Sequence, residues 1–170
     1  QDVSSWDVSS VTTMDSMFIS AYAFDQAIGN WNVGNVTNMS RMFYKTETFN
    51  QDIGAWNVSS VTDMYAMFTN PILSTDNYDA ILISWSQQVL QSNVRFGVWG
   101  VNFCNGADAR QSIIDTYGWT ITDGGLDCAT ASIDDQNQLD ISIYPNPTSN
   151  TLFITGNETP ITVAIYNVLG

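Results

Sequence analysis

Three tryptophans recur at an interval of 25 residues near the start of the chain, at Trp6, Trp31 and Trp56. Each begins a similar string: WDVSSVTTMDSMF, WNVGNVTNMSRMF and WNVSSVTDMYAMF. The segments before the second and third strings also align, as FDQAIGNW and FNQDIGAW. A unit this short cannot bury its own apolar side chains, so its copies must stack on one another. The repeat therefore predicts a solenoid.

The apolar residues within one copy predict a strand followed by a helix. Trp31 and Val33 are two residues apart, which favours a short strand. Val36, Met39 and Met42 follow at intervals of three, which favours one or two turns of helix. Methionine at this spacing beside valine is more typical of a core than of a soft-metal site. The predicted repeat core consists of Trp6, Trp31, Trp56, Met14, Met39, Met64, Met17, Met42 and Met67.

The composition excludes several classes of function. The chain has 17 acidic residues, 4 basic residues and no histidine, and its formal net charge is −13. Nucleic acid is not an expected partner, because it is bound by clustered cations. Without histidine the chain can form neither a Ser-His-Asp or Cys-His centre nor a His-ligated zinc site. No apolar run approaches the roughly 20 residues of a membrane-spanning helix, so we expect no span.

The acidic residues form no pattern typical of catalysis or metal binding. Asp76 and Asp79 fall at the start of a predicted helix, and Asp123 and Asp127 flank a predicted turn. Glycoside hydrolysis needs two carboxylates about 5–10 Å apart in a cleft. The calcium-binding loop pattern D-x-[DN]-x-[DN]-G does not occur. We expect no catalytic residue, no cofactor and no metal site, and therefore no enzyme.

The repeat stops after residue 70, and residues 71–128 show the pattern of ordinary helices and strands. A helix with Thr75 or Asp76 as its N-cap is followed by a strand, by a second helix that ends at Gly118, and by a last short strand. The apolar residues that carry these elements are, in order, Tyr78, Ile81, Leu82, Trp85 and Val89; Val94, Phe96 and Val98; Ala109, Ile113, Ile114 and Tyr117; Trp119 and Ile121. We interpret this block as an α/β cap over the open end of the stack.

The last 42 residues change character again. Residues 129–139, ATASIDDQNQL, are small, polar and acidic without periodicity, and they predict a linker. In residues 140–170 apolar residues alternate in a way that predicts the first strands of a small β-sandwich. These residues are Ile141, Ile143, Leu152, Ile154, Val163 and Ile165.

The 25-residue unit, F-N-Q-D-I-x-x-W-N-V-S-S-V-T-D-M-x-x-M-F, resembles the BspA-type leucine-rich-repeat surface proteins of bacteria. The resemblance covers residues 1–70, and the stretch GWTITDGG resembles the segment that ends repeat arrays in related surface proteins. It implies an α/β fold, a right-handed β/α leucine-rich-repeat solenoid with residues 71–128 as its C-terminal cap. About three units are present and the chain begins inside one, so we expect a fragment of a longer protein, truncated at both ends.

The string Tyr144-Pro145-Asn146-Pro147, followed by TSNTLFI and VAIYNVLG, is similar to the C-terminal sorting domain of type IX secretion cargo. This resemblance covers residues 141–170. It implies the type IX machinery as a partner and a route through the periplasm to the outer surface of a Gram-negative bacterium. The tripeptide Asp15-Ser16-Met17 also resembles an acceptor motif for O-glycosylation in bacteria that use this route.

Cys104 and Cys128 are the only cysteines of the chain. They predict either two buried free thiols or one disulfide, and export favours the disulfide. A loop of this size would contribute about 3–4 kcal/mol in the chain-entropy model.

For function, we expect a secreted cell-surface binding or adhesion protein whose solenoid recognises a surface protein or a glycan. Two alternatives are a passive surface stalk and an accessory glycan-binding module of a larger secreted hydrolase. The positions expected to be exposed for recognition are Ser4, Ser5, Ser9, Ser59, Asn30, Asn35, Tyr44 and Tyr65.

Overall fold

The computed structural model describes residues 2–69 and 73–129, together with the backbone of residues 142–144 and 153–155. The chain divides into two compact units, residues 1–131 and 132–170. The elements of the first unit are β1 (Met64–Phe68), α1 (Thr75–Ser86), β2 (Arg95–Val98), β3 (Asn102–Phe103), α2 (Ala107–Tyr117), β4 (Thr120–Thr122) and β5 (Gly125–Leu126).

The three copies of the repeat stack in parallel, each offset from the next by 25 residues. Bridges join Thr13 to Asn38 and Asn38 to Asp63. The amide of Met14 donates to the carbonyl oxygen of Asn38 at 2.8 Å, and the amide of Met39 donates to that of Asp63 at 2.9 Å. The same bond recurs at every second residue as far as residue 20 in the first copy and residue 43 in the second. Neighbouring copies are thus joined by a regular backbone ladder.

The segment of each copy that was predicted to be helical forms turns in the first two copies and a strand in the third, so the helix prediction is wrong. Residues 2–69 contain no helix, and the third copy forms β1 at this place. The residue before the second methionine of each copy has a left-handed backbone, with φ of +58° at Ser16, +53° at Arg41 and +51° at Ala66. The amide of Met17 donates to the carbonyl oxygen of Met14, and the amide of Met42 donates to that of Met39, both at 3.2 Å, which is the geometry of β-turns. Turns in the first two copies, and a shift of register within β1 in the third, therefore produce the spacing of the methionines.

The strand predicted at Trp31 and Val33 is also absent. The Trp31 amide donates to the carbonyl oxygen of Ile28 at 3.0 Å, and the Val36 amide donates to that of Val33 at 2.9 Å. These bonds span three residues, which is the geometry of β-turns. The Asn32 side chain supports the second turn by accepting the amide of Gly34 at 3.3 Å. Turn chemistry therefore replaces the short strand.

Most of the predicted repeat core is buried, and its two exposed members both belong to the first copy. Seven of its nine members are buried: Trp31, Trp56, Met14, Met39, Met42, Met64 and Met67. Trp6 and Met17 are instead 43% and 37% exposed, which corrects the prediction for both. They belong to the first copy, which packs against a neighbouring copy on one side within the described residues. The Trp6 ring lies parallel to that of Trp31 with 6.4 Å between centroids.

The strands after the repeat extend the same ladder. Phe96 of β2 pairs in parallel with Met64 of β1, and Ile121 of β4 pairs in parallel with Phe96, so the sheet order is β1-β2-β4. β3 and β5 form a second, two-stranded parallel sheet. The helices α1 and α2 connect the strands of the first sheet and pack against each other.

Both helices form where the sequence predicts them, with differences at the ends of α1. Its N-cap is Ser74, whose side chain accepts the amide of Asn77, and not Thr75 or Asp76. The helix ends at Ser86, so Val89 lies beyond it and is 81% exposed, contrary to the prediction. α2 ends at Gly118 with φ of +66°, as predicted.

The second unit contains β6 (Ser142–Tyr144) and β7 (Phe153–Thr155), which pair as antiparallel strands with Ile143 opposite Ile154. Strands predicted around Ile143 and Ile154 are therefore confirmed. The strand predicted at Val163 and Ile165, residues 130–139 of the linker, and Pro145, Asn146 and Pro147 of the sorting motif lie outside the described residues. The β-sandwich stays a prediction.

Candidate functional site

The two most buried carboxylates of the first unit, those of Asp79 and Asp123, join elements of the cap to one another. The Asp79 carboxylate is buried and accepts the amides of Cys104, Asn105 and Gly106, at 3.0, 2.8 and 2.9 Å. These bonds fix the loop that carries Cys104 against α1. Cys104 forms a disulfide with Cys128, with 4.9 Å between the Cα atoms. Asp79 is thus an anchor for the disulfide loop.

A second buried carboxylate joins α1, α2 and the turn after β4. Tyr78 donates its hydroxyl to Asp123 Oδ2 at 2.8 Å, and Arg110 Nε donates to the same oxygen at 2.7 Å. Burial, followed by the neighbouring Asp123 charge, raises the pKa of Tyr78 well above its usual value. The Asp123 carboxylate is therefore engaged in structural bonds.

Residues 2–69 and 73–129 lack both a cluster of metal ligands and a membrane-spanning helix. No three cysteine or carboxylate side chains of this part of the chain gather to hold a metal ion. No helix among the described residues combines the length and the apolar character needed to cross a membrane. The expected lack of a metal, a cofactor and a catalytic residue stays a prediction.

The sheet β1-β2-β4 has two faces of opposite chemistry. Met64, Phe96 and Ile121 form one row on its inner face, and the first two of them are fully buried. Because successive side chains of a strand alternate between faces, their neighbours point outward. The outer face carries Asp63, Arg95 and Thr120 in one row, and Tyr65, Gly97 and Thr122 in the next.

A cleft of about 150 Å³ lies on this outer face, and we call it the sheet cleft. It is lined by Tyr65, Arg95, Phe96, Gly97, Trp99, Thr120 and Thr122. The rings of Tyr65 and Trp99 stand nearly perpendicular, at 86°, with 6.0 Å between centroids. Tyr65 is 43% exposed and Trp99 is 36% exposed. Two large aromatic side chains therefore meet at the surface and present part of their area to solvent.

Arg95 fixes one side of the sheet cleft. Its guanidinium lies over the Tyr65 ring, 4.9 Å from the centroid, which is a cation–π contact. The same group donates to Asp63 Oδ2 at 3.0 Å. The positive charge of Arg95 is thus paired with an acidic neighbour.

Gly97 forms the floor of the sheet cleft. A Cβ atom on this residue would lie 2.6 Å from the amide nitrogen of Ala66 and 2.9 Å from its Cα atom. Ala66 is the left-handed residue of the β1 bulge. The bulge therefore brings the β1 backbone so close to β2 that glycine is needed, and no side chain rises between Tyr65 and Thr122.

The sequence identified only part of this site. Tyr65 was predicted to be exposed and it lines the cleft, whereas Arg95, Trp99, Thr120 and Thr122 were missed. A signal for the missed residues exists, because Phe96 and Val98 alternate as an inward-facing pair, which places Arg95 and Trp99 on the other face.

The other positions predicted for recognition do not line the cleft. Ser4, Ser5, Asn30 and Asn35 are exposed, and Ser9, Ser59 and Tyr44 are half-buried. Asn35 donates its side-chain amide to the carbonyl oxygen of Ser9 at 2.8 Å, which joins the second copy to the first. Ser16, the residue of the O-glycosylation motif, is half-buried and donates its hydroxyl to Asp15 at 3.3 Å.

Comparison with known families matches the chain in two places. A family model described as Secretion system C-terminal sorting domain matches residues 142–170, which supports export through the type IX secretion system to the cell surface. Neither a curated protein nor a solved structure matches the chain. A model described as Mycoplasma protein of unknown function, DUF285, matches residues 1–96, which cover the repeat and reach into β2. This match spans more than half of the chain, and the protein therefore belongs to the DUF285 family.

Proposed function

We propose that this secreted chain is a binding protein of the cell surface, an adhesin whose repeat stack and cap together form the recognition module. One observation carries the proposal: an aromatic cleft opens on the outer face of the sheet, while the inner face is closed core. Surface aromatic pairs beside polar side chains are typical of ligand sites. Tyr65 comes from the repeat and Trp99 from the cap, so the cleft depends on both.

The proposal includes the solenoid as the scaffold of the module. Parallel bridges at Thr13–Asn38 and Asn38–Asp63 support it, as does the continuation of the ladder into β2 and β4. We propose a right-handed leucine-rich-repeat solenoid in which turns, and in the third copy the irregular strand β1, take the place of regular strands and helices. A rigid scaffold of this kind presents a long, regular surface, which is how most solenoids bind their ligands.

The proposal assigns no catalysis to the chain. Two observations support this: histidine is absent, and the buried carboxylates Asp79 and Asp123 are both engaged in several hydrogen bonds. An adhesin needs affinity and not turnover, so the chain should bind its ligand without changing it.

A binding screen on the whole chain tests the proposal. The immobilised protein is exposed to a glycan array and to a panel of extracellular matrix proteins, with the urea-unfolded chain as the control for nonspecific adhesion. Saturable binding tighter than about 1 mM, lost in the unfolded control, supports an adhesin. Failure to bind any member of either set would favour the passive stalk and overturn the proposal.

A further inference from the structure

The lining of the sheet cleft indicates which kind of ligand it accepts. The exposed areas of Tyr65 and Trp99 are rigid apolar surfaces, since an aromatic side chain has only two rotatable bonds. A sugar ring has apolar C–H faces and a rim of hydroxyl groups, so it matches an aromatic surface flanked by hydrogen-bonding groups. The perpendicular rings form two walls of a cleft of about 150 Å³. A space of this size suits one ring, and not a folded protein surface.

The polar groups of the sheet cleft fit a polyhydroxylated ligand. Thr120 and Thr122 lie two residues apart on β4, so their side chains point outward about 6–7 Å apart. Their hydroxyls have no hydrogen-bond partner among the described residues. A threonine hydroxyl both donates and accepts, as a sugar hydroxyl does. The two side chains can therefore reach hydroxyls on opposite sides of one ring.

The charge of the sheet cleft favours a neutral ligand. Arg95 is the only basic residue among the described residues that line the cleft, and its guanidinium is already bonded to Asp63 at 3.0 Å. The formal net charge of the chain, −13, repels anions at long range. Neither a phosphate nor a uronic acid would thus find an unpaired cation here.

The position of the cleft disfavours an extended peptide. Peptides that bind to sheets add a strand to an edge, where backbone amides and carbonyls are unpaired. The sheet cleft lies over β2, which is the central strand and pairs on both sides with β1 and β4. Recognition at this place must therefore come from side chains.

From these observations we propose that the sheet cleft binds one ring of a neutral glycan, with Tyr65 and Trp99 as its apolar walls and the hydroxyls of Thr120 and Thr122 as its polar contacts. This assignment rests on the proposed binding function and names the class of ligand.

The test uses the whole chain on an array of neutral and anionic glycans, with the matrix-protein panel in parallel. Trp99→Ala and Tyr65→Ala should each weaken neutral-glycan binding by about tenfold, the loss of one aromatic contact. Thr122→Tyr fills the cleft on a strand position that tolerates aromatic residues, and it should abolish binding. Tyr22 is an exposed aromatic residue of the first copy that does not line the cleft, so Tyr22→Ala should bind like the wild type. Thermal unfolding of each variant shows that it is folded.

The outcomes separate this inference from the proposed function. Glycan binding that Trp99→Ala and Thr122→Tyr leave within twofold of the wild type would place the site elsewhere. Binding of anionic glycans alone, or of matrix proteins alone, would overturn the ligand class while an adhesin remains. A chain that binds nothing would remove both proposals.

Discussion

The indole nitrogen of Trp56 donates a hydrogen bond to the carbonyl oxygen of Ile28 at 3.0 Å. Trp31 makes the equivalent bond one copy earlier, to the carbonyl oxygen of Val3 at 3.2 Å. The Ile28 oxygen also accepts the amide of Trp31, so it closes a turn of its own copy and binds the next one. Each tryptophan thus contributes both apolar area and a directional bond between copies.

Replacing Trp56 with phenylalanine should lower the free energy of unfolding by about 1–3 kcal/mol, because a buried hydrogen bond and part of a buried ring are lost. Trp6→Phe is the matched control, and it should cost less than about 1 kcal/mol because Trp6 is partly exposed. Urea unfolding of both variants measures the difference. Equal losses would show that the bond to Ile28 contributes nothing.

Met42 and Met17 occupy the same position of the repeat but differ in burial, since Met42 is fully buried and Met17 lies on the first copy. Met42→Ala should cost about 2–5 kcal/mol, the usual range for a cavity in a packed core. Met17→Ala should cost less than about 1 kcal/mol. Denaturant unfolding at one pH compares the two variants, and a larger loss for Met17→Ala would contradict the order of burial.

Arg41 distinguishes the turn of the second copy from a helix. At φ of +53° a β-branched residue is strained, so Arg41→Val should be less stable than Arg41→Gly by about 1–2 kcal/mol. In a helix the order would be reversed, because glycine is the weaker helix former of the two. Both variants lose the same exposed contact with Asp15, at 3.7 Å, so it cancels in the comparison. Thermal unfolding of the pair decides the order.

The Cys104–Cys128 disulfide should stabilise the chain by about 3–4 kcal/mol, because it restricts the unfolded chain. Replacing both cysteines with serine should lower the free energy of unfolding of the first unit by that amount and thereby lower its melting temperature. Peptide mapping without reductant checks the bond itself. Two free thiols in protein collected from the cell surface would refute it.

Tyr78 should make the protein sensitive to alkali. Its pKa is raised in the folded state, so the folded protein favours the neutral phenol. The stability that Tyr78 contributes is therefore fully present below about pH 10 and falls as the pH rises above that value. Tyr78→Phe lacks the titrating group and should lose stability less steeply in that range. Urea unfolding at a series of alkaline pH values compares the two chains, and identical slopes would contradict the prediction.

Burial in the stack could be predicted from the sequence, but backbone geometry could not. Met39 and Met42 face the core whatever the local fold, because a recurring apolar position is covered when its copy has a neighbour on both sides, whereas Met17 of the first copy stays partly exposed. A spacing of three fits both a helix and a series of turns, and the left-handed backbone at Arg41 decides between them. Arginine carries no sequence signal for such a conformation, which glycine would have given.

Only part of the candidate site could be predicted from the sequence, for a related reason. Tyr65 belongs to the repeat, and its position in the pattern predicts exposure. Trp99 is 34 residues later and follows a helix, so its meeting with Tyr65 depends on the register of β1 with β2. That register is set by long-range pairing, which composition and periodicity do not encode.

The backbone ladder between the copies also restricts how the length of this protein can change. Each copy presents the same backbone acceptors to the copy before it. The carbonyl oxygen of Asn38 accepts the amide of Met14, just as the carbonyl oxygen of Asp63 accepts the amide of Met39. A gene segment of 25 codons can therefore be duplicated or deleted, and the flanking copies would meet through identical bonds. Insertion of a single codon would shift every later amide out of line with its acceptor. Such an array is thus expected to evolve by the gain or loss of whole repeats. This changes the length of the protein and preserves the hydrogen bonds between neighbouring copies.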